Sequence, residues 1–234
     1  MYLKDIVANY LPNIKVKNNF LVIGITGNIA SGKSTFADYL RQELLKTFPD
    51  EKIEIISTDD FLFSNSYLHQ HNLFDKKGWE QSYDIKKIDA FFDSLIKKNY
   101  SLLKGRYSQK HGDMMENIQI INQPTVLILE GTMALTAMFS RFINYSIYLE
   151  VDLLTNYNWF KKRSLENLSS KIEYQHLDEY EAINVIYAVW EKINIKTFYK
   201  YIEPNKNKAN LCIELDANHQ IKYYNERKFD LICC

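Results

Sequence analysis

The chain has 234 residues, of which 46% are hydrophobic and 14% are aromatic, so it can bury the core of one large domain. Its 29 basic and 29 acidic residues give a formal net charge of zero, which excludes the global positive field typical of proteins that bind nucleic acid or anionic membranes. The cysteines, Cys212, Cys233 and Cys234, fit neither a zinc site nor a disulfide framework, and we expect a reducing, cytoplasmic compartment.

The segment before the first predicted strand, residues 1–19, has the pattern of a short amphipathic helix. Ile6, Tyr10 and Leu11 are spaced as on one helical face. Asp5 and the lack of a sustained apolar run argue against a signal peptide, and no run in the chain approaches the length needed to cross a bilayer. We therefore expect a helical lead-in and no membrane-spanning segment.

The next segment carries the most specific pattern in the chain. Residues Gly27–Ser34 match G-x-x-x-x-G-K-[ST] at every position. The apolar run Phe20–Thr26 before them predicts a buried strand, and Thr35–Leu45 after them predicts a helix that begins near Lys33. A glycine-containing turn could match by chance, but agreement of motif, strand and helix favours a loop that binds nucleotide phosphates.

The residue types in this loop explain the chemistry that it would perform. Gly27 and Gly32 let successive backbone N–H groups point at phosphate oxygens, and the helix N-terminus adds its positive dipole end. Lys33 supplies a point charge for the β- and γ-phosphates of ATP, and the Ser34 hydroxyl suits Mg²⁺. We assign the whole loop to ATP binding: Gly27, Asn28, Ile29, Ala30, Ser31, Gly32, Lys33, Ser34 and Thr35.

The remaining predicted elements alternate between strands and helices. The strands are continuous apolar runs, as in strands buried on both faces of a parallel sheet. We therefore predict an α/β fold with a doubly wound, mostly parallel sheet flanked by helices. In chain order the elements are a strand at Ile53–Ser57, a helix at Ile85–Lys97, strands at Thr125–Leu129 and Tyr145–Leu149, helices at Tyr157–Leu168 and Asp178–Tyr201, and late strands at Asn210–Leu215 and Gln220–Tyr224.

Three carboxylates follow predicted strands, at the sheet edge where open α/β folds bind ligands. Asp59 and Asp60 follow the second strand, and Glu130 follows the strand at Thr125–Leu129. Asp59 is the candidate base for the hydroxyl of an acceptor, and Glu130 is the candidate for holding a metal-bound water or that hydroxyl. The alternative is that these are loop carboxylates that cap the following helices.

A basic triplet, Lys161, Lys162 and Arg163, lies in the helix after the Tyr145–Leu149 strand. In a helical lid that closes over ATP, such cations would stabilise the charge that develops on the transferring phosphoryl group. A solvated helix face is the other interpretation.

Several segments together resemble the prokaryotic-type (type I) pantothenate kinases, within the group that contains uridine kinase and phosphoribulokinase. The resemblance extends roughly from Phe20 to Arg227, far beyond the phosphate loop alone. The matching segments are Gly24–Thr35, Ser57–Leu62, Lys76–Asp84, Leu127–Gly131, Tyr145–Tyr148, Trp190–Asn194, Pro204–Ala209 and Ala217–His219.

The resemblance implies a P-loop kinase that uses ATP and Mg²⁺ to convert pantothenate to 4′-phosphopantothenate for coenzyme A biosynthesis, as a homodimer. It implies a single kinase domain over residues 20–234, after the lead-in over residues 1–19. It also implies that Asp59 and Lys33 are catalytic residues and that Ser34 and Glu130 hold the metal. Arg163, Asn218 and His219 would bind the nucleotide, although a lone histidine is often structural. The acceptor would contact Asp59, Tyr83, Tyr107, Gln109, Glu130 and Tyr201.

The chain departs from this family at five places. Gln109 replaces a histidine that contacts substrate, Tyr201 aligns with a substrate asparagine, and Lys110–Asp113 differs from the family pattern. Asp60 replaces a glycine and would add negative charge beside the base, and Asp38 replaces an arginine linked to feedback by coenzyme A, which predicts weak inhibition by that anion. The departures leave two alternatives open: a kinase of uridine, cytidine or another small alcohol, and a nucleotide-binding regulator without catalysis.

Overall fold

The computed structural model describes residues 20–168 and 176–226. A central sheet of six strands and a separate two-stranded hairpin hold all the strands of these residues. The strands are β1 (Leu21–Gly27), β2 (Ile53–Ser57), β3 (Tyr100–Ser108), β4 (Asp113–Asn122), β5 (Val126–Glu130), β6 (Tyr145–Glu150), β7 (Leu211–Leu215) and β8 (Ile221–Glu226). The sheet order is β2-β5-β1-β6-β7-β8, in which every neighbouring pair is parallel except β7 and β8.

The helices pack on both faces of this sheet. The α-helices are α1 (Lys33–Thr47), α2 (Asn65–Gln70), α3 (Ile85–Lys98), α4 (Ala137–Ser140), α5 (Leu153–Glu166), α6 (Glu179–Val189) and α7 (Ile195–Thr197). A π-helical turn at Trp190–Asn194 joins α6 to α7, and a second one at Phe198–Ile202 follows α7, so that together they form one helical rod. Short 3₁₀ turns cover Thr58–Phe61, Phe74–Lys76, Glu80–Ser82 and Glu203–Lys208.

Strand β1 is buried along its whole length because it contributes to two hydrophobic cores. Ile23 and Ile25 belong to the core on one face, which α1 covers with Phe36 and Leu40. Val22 belongs to the core on the other face, which α3 covers. This double burial explains why the sequence shows an unbroken apolar run where a half-exposed strand would alternate.

The fold class predicted from the sequence is confirmed: the chain folds as an α/β protein with a mostly parallel sheet flanked by helices. Most element boundaries lie within one or two residues of the prediction. The largest difference is α5, which begins at Leu153, four positions before the predicted Tyr157. Asp152 sets this boundary because its side chain accepts a hydrogen bond from the backbone N–H of Thr155 at 2.9 Å.

The hairpin of β3 and β4 was not predicted from the sequence. Their outward positions are exposed, and only a few inward residues, such as Leu103 and Ile121, are buried. The pattern is further broken at Gly105, where the pairing register shifts between Lys104 and Arg106. The hairpin packs against α3 and the Thr58–Phe61 turn, so it stands beside the carboxyl end of β2.

Some predictions concern parts of the chain outside the described residues: the helical lead-in over residues 1–19 and the terminal Cys233 and Cys234. The domain boundaries stay a prediction. Cys212 lies buried in a small core beside β6 and β7. No helix found in residues 20–168 and 176–226 combines the length and the hydropathy that a bilayer span requires.

Candidate active site

The phosphate loop connects the end of β1 to the start of α1. Gly32 precedes the first residue of α1 with φ 82°, in the left-handed region that favours glycine. Helix α1 has no side-chain cap and no acidic residue in its first turn, so its N-terminus keeps its positive character. The loop therefore offers backbone donors and a helix dipole to an anion, as the motif predicts.

Lys33 is folded back into this loop. Its Nζ donates a hydrogen bond to the carbonyl oxygen of Asn28 at 2.7 Å, and only 8% of the residue is exposed. Burial lowers the pKa of Lys33 to about 8, against the opposing effect of the Glu130 carboxylate. The ammonium group is thus poorly solvated and gains most from a phosphate that reaches it.

Glu130 ends β5 and faces the start of α1. Its Oε1 accepts a hydrogen bond from the Ser34 hydroxyl at 3.0 Å. Burial raises the pKa of Glu130, while Lys33 and the Ser34 hydrogen bond act in the opposite direction. The next residue, Gly131, must be glycine because a Cβ there would lie 1.8 Å from Oγ1 of Thr58, so the ends of β5 and β2 are packed in direct contact.

Asp59 lies in the 3₁₀ turn that follows β2. Its two carboxylate oxygens are held from different directions: Oδ1 accepts from the Tyr83 hydroxyl and Oδ2 from Gln109 Nε2, each at 3.2 Å. Burial, followed by the nearby Asp59 charge, raises the pKa of Tyr83 well above its usual value, so its phenol keeps the proton that it donates. Tyr83 therefore orients the predicted base from the protein core.

Asp60, the residue after the predicted base, has a buried carboxylate. Its carboxylate turns away from the base into the protein, where only 1% of the residue is exposed. There it accepts the backbone N–H of Tyr107 at 2.8 Å and pairs with Nε of Arg106 at 3.0 Å. The carboxylate still adds negative charge beside the base: burial and, to a smaller extent, the Asp59 charge raise the pKa of Asp60, whereas the Tyr107 N–H and Arg106 lower it.

The hairpin brings Tyr107 and Gln109 to the same cavity as Asp59. Lys77 anchors the hairpin tip: its Nζ donates to Oδ1 of Asn65 at 2.6 Å and also to the carbonyl oxygen of Gly112. The Lys76–Asp84 segment and the Lys110–Asp113 tip therefore touch, which explains why both belong to one pocket.

A cavity of 840 Å³ joins these groups, within the size range of sites for small molecules and cofactors. Part of its wall comes from the helical rod, which contributes an apolar stripe of Val185, Ile186, Val189 and Ile193. The stripe packs beside Ile29 and Ala30 of the phosphate loop, so the cavity combines the polar groups of the loop with an apolar wall.

Asn194 is a polar residue of this cavity that was not predicted from the sequence. It lines the cavity, is 7% exposed, and its Nδ2 has no hydrogen-bond partner among the described residues. Tyr201, the predicted substrate contact, lies outside the cavity wall and packs in the core against Trp79, with ring centroids 6.1 Å apart. Asn194 lies in the Trp190–Asn194 segment that resembles the family, and the rod brings Asn194, but not Tyr201, to the cavity wall.

Helix α5 supplies the cationic wall. Arg163 and Lys162 line the cavity, whereas Lys161 does not. Burial lowers the pKa of Arg163, and the charges of Asp59, Tyr107 and Glu130 oppose that shift, which shows that the guanidinium faces the carboxylates. Asn156, at 0% exposure, ties α5 to the phosphate loop by donating to the carbonyl oxygen of Ile29 at 2.7 Å.

The predicted nucleotide residues after β7 also reach the loop. His219 stacks on Trp159 with ring centroids 3.7 Å apart, and its Nδ1 lies 3.6 Å from the place that a Cβ of Gly32 would occupy. Of the predicted site residues, four lie behind the cavity wall: Gly27, Ser31, Tyr83 and Tyr201. The others line it: Asn28, Ile29, Ala30, Gly32, Lys33, Ser34, Thr35, Asp59, Tyr107, Gln109, Glu130, Arg163, Asn218 and His219.

Comparison with known proteins adds three findings. Residues 22–222 match the model of the phosphoribulokinase/uridine kinase family. The chain is 29% identical to a pantothenate kinase from Ligilactobacillus salivarius, over 97% of this chain and 78% of that protein, and 33% identical to one from Streptococcus mutans, over 88% and 72%. A D-glycerate 3-kinase structure from Cryptococcus neoformans matches with a TM-score of 0.66 at 14% identity, over 94% of this chain and 95% of that one, which shows a shared fold.

Proposed function

We propose that pantothenate is the acceptor substrate of this protein. The proposal starts from two findings: the chain belongs to the phosphoribulokinase/uridine kinase family, and it is an ATP-dependent phosphotransferase that acts on an alcohol. The observation that carries the proposal is that Asp59 lines the same cavity as the phosphate loop and as Tyr107, Gln109 and Asn194. We assign the loop to the ATP end of this cavity and the other three side chains to its acceptor end. Two relatives that the chain matches over most of its length are pantothenate kinases.

The acceptor end matches the chemistry of pantothenate, which carries hydroxyl groups, an amide, a carboxylate and an apolar dimethyl carbon. Asn194 offers a buried amide donor, and Tyr107 and Gln109 offer further polar contacts. The apolar stripe of the rod, with Val189 and Ile193, suits the dimethyl carbon. This wall would hold the acceptor with a hydroxyl directed at Asp59.

Transfer needs the hydroxyl and the γ-phosphorus of ATP in line. Asp59 accepts the hydroxyl proton as the oxygen bonds to phosphorus, and the bond from phosphorus to the bridging oxygen of ADP breaks. Lys33 and the loop N–H groups stabilise the β- and γ-phosphates, and Arg163 stabilises the charge that develops on the moving group. Closure of the Lys161–Arg163 helix as a lid would exclude water, so that ATP is not hydrolysed instead.

The residues beside the loop fit a Mg²⁺ ion. The Ser34 hydroxyl and the Glu130 carboxylate are hard oxygen donors in contact with each other, next to the place where phosphates would bind. Among the described residues no cluster of three His, Cys, Asp or Glu side chains could hold a metal alone, so phosphates and water would complete the shell. The ion, when bound, would neutralise phosphate charge.

One observation favours a different alcohol. Gln109, which stands where the resembled family has histidine, contacts Asp59 itself and so borders the reacting hydroxyl. A glutamine cannot be charged, and the change could alter which acceptor is preferred. A nucleoside such as uridine is the second candidate. A cytoplasmic location, a homodimer and weak inhibition by coenzyme A stay predictions.

An acceptor panel tests the proposal. The protein is assayed for ADP production with pantothenate, uridine, cytidine and D-glycerate, with the Asp59→Asn variant as the blank. We expect pantothenate to have the highest kcat/KM and the blank to be inactive with each alcohol. Turnover of another alcohol without turnover of pantothenate would refute the acceptor assignment, and turnover of none would favour a regulator.

A further inference from the structure

The buried carboxylate of Asp60 lies between the turn that carries Asp59 and the strand that carries Tyr107. It receives hydrogen bonds from both sides: the N–H of Ser57 at 3.1 Å on its own turn, and the N–H of Tyr107 at 2.8 Å on β3. Nε of Arg106 adds a charged donor at 3.0 Å. The side chain therefore joins two elements that are 47 residues apart in the sequence.

The shape of β3 makes this contact. At Gly105, with φ 78°, the pairing with β4 shifts register between Lys104 and Arg106. Before this bulge Leu103 is buried and Lys104 is exposed, in the usual alternation. The bulge places two residues of β4, Glu116 and Asn117, opposite Gly105 of β3, and beyond it both the Arg106 side chain and the Tyr107 N–H reach Asp60.

We propose that Asp60 and Arg106 form a positioning link that holds the acceptor-binding hairpin against the Asp59 turn. The inference rests on the proposed function, since it assigns the hairpin to the acceptor. Asp60 adjoins the base in the sequence and Arg106 adjoins Tyr107, while neither Asp60 nor Arg106 lines the cavity. The link sets the distance between Asp59 and the hairpin tip, and it does not involve the residues of the phosphate loop.

The energetic asymmetry of a buried ion pair makes the link testable. Removal of Arg106 alone leaves a buried carboxylate with backbone donors only, and removal of the Asp60 charge alone leaves a guanidinium opposite an amide. Either change weakens the same contact, and removal of Arg106 also breaks its hydrogen bond to Gln119 on β4. Removal of both charges leaves no unpaired charge, so the effects of the two changes on the acceptor KM are not additive.

The experiment compares Asp60→Asn, Arg106→Gln and the double variant with Lys104→Gln, a matched control on the exposed side of β3. Initial rates give KM for the acceptor and for ATP. Each single variant should raise the acceptor KM about tenfold, with the ATP KM changed less than about twofold, and the double variant should be no worse than the poorer single one. Equal rises in both KM values, or additive effects on the acceptor KM, would overturn the link.

Hydrogen exchange provides a readout that needs no acceptor. In Arg106→Gln, amide exchange over residues 107–113 should accelerate about tenfold while exchange in β1 and β5 stays unchanged. Unchanged exchange at the hairpin, or acceleration throughout the sheet, would contradict a positioning role. A wild-type protein that fails to phosphorylate pantothenate would refute the proposed acceptor, yet the exchange rates would still decide the link.

Discussion

The donor end of the cavity and its acceptor end are assembled by different routes along the chain. The donor end comes from one continuous loop, Gly27–Ser34, and from Glu130 on the strand that pairs directly with β1. The acceptor end comes from a hairpin and a helical rod that approach the same cavity from distant parts of the sequence. Phosphate binding is therefore a local property of this chain, whereas acceptor binding depends on how separate elements are held together.

Asp59 is where the two ends meet, so Asp59→Asn should have the largest effect of any single change. Loss of the base should lower kcat about a thousandfold, while ATP affinity changes less than about threefold, because the phosphate loop is intact. Rates with saturating ATP and acceptor, together with an ATP binding titration, check this.

The matched control for that change is Asp93→Asn, on the exposed face of α3, where Asp93 pairs only with Lys97 among the described residues. It should leave both quantities unchanged. Residual activity of Asp59→Asn close to that of the control would show that the two ends of the cavity do not meet at this carboxylate.

The acceptor end can be broken separately at Asn194. Asn194→Ala removes a buried donor that lines the cavity, and it should raise the acceptor KM more than about tenfold with an unchanged ATP KM. Tyr201→Phe, seven positions along the rod but in the core, should change either KM less than about twofold. A larger rise in the acceptor KM for Tyr201→Phe than for Asn194→Ala would instead support Tyr201 as the acceptor contact, as the sequence alignment suggested.

The donor end has a pH dependence of its own. Phosphates bind the protonated form of Lys33, and because its pKa is lowered to about 8, that form is complete near pH 6.5 and is lost as the pH rises through 8. The dissociation constant of ATP should therefore rise about fivefold between pH 8 and pH 9. Lys33→Met, which carries no charge, should bind ATP weakly at all pH values; a rise of the same size in this variant would assign the dependence to another group.

The smallest expected effect lies at the contact between the two ends. Gln109 donates a single hydrogen bond to Asp59 at 3.2 Å from an exposed position. Gln109→Ala should lower kcat about threefold, since one neutral donor to a partly solvated carboxylate is worth little. A loss of kcat as large as that of Asp59→Asn would mean that the amide takes part in the reaction itself. The value of kcat at saturating substrates distinguishes this role from a supporting hydrogen bond.

The donor half of the site was predictable from the sequence because its residues are close together in the chain or lie at equivalent ends of neighbouring strands. The phosphate loop is one motif, and apolar runs predicted β2 and β5 well enough to place Asp59 and Glu130 at the same edge. The fold class followed from the same runs, since strands buried on both faces are visible in the sequence.

The acceptor half could not be predicted in this way. The hairpin shows little hydrophobic periodicity, because one face of β3 and β4 is exposed and Gly105 interrupts the register. In the rod, π-helical turns change which residues face the cavity, so the sequence did not show that Asn194 lines it and that Tyr201, seven positions later, does not. The partnership of Asp60 with Arg106 depends on tertiary contact alone.

The central claim is that one cavity brings the γ-phosphoryl group of ATP and a hydroxyl of pantothenate together at Asp59. The most direct measurement is transfer of labelled γ-phosphoryl from ATP to pantothenate in a single turnover, with the product identified by mass spectrometry. We predict labelled 4′-phosphopantothenate from the wild-type protein and none from Asp59→Asn. Label released only as inorganic phosphate, or equal product from both proteins, would contradict the claim.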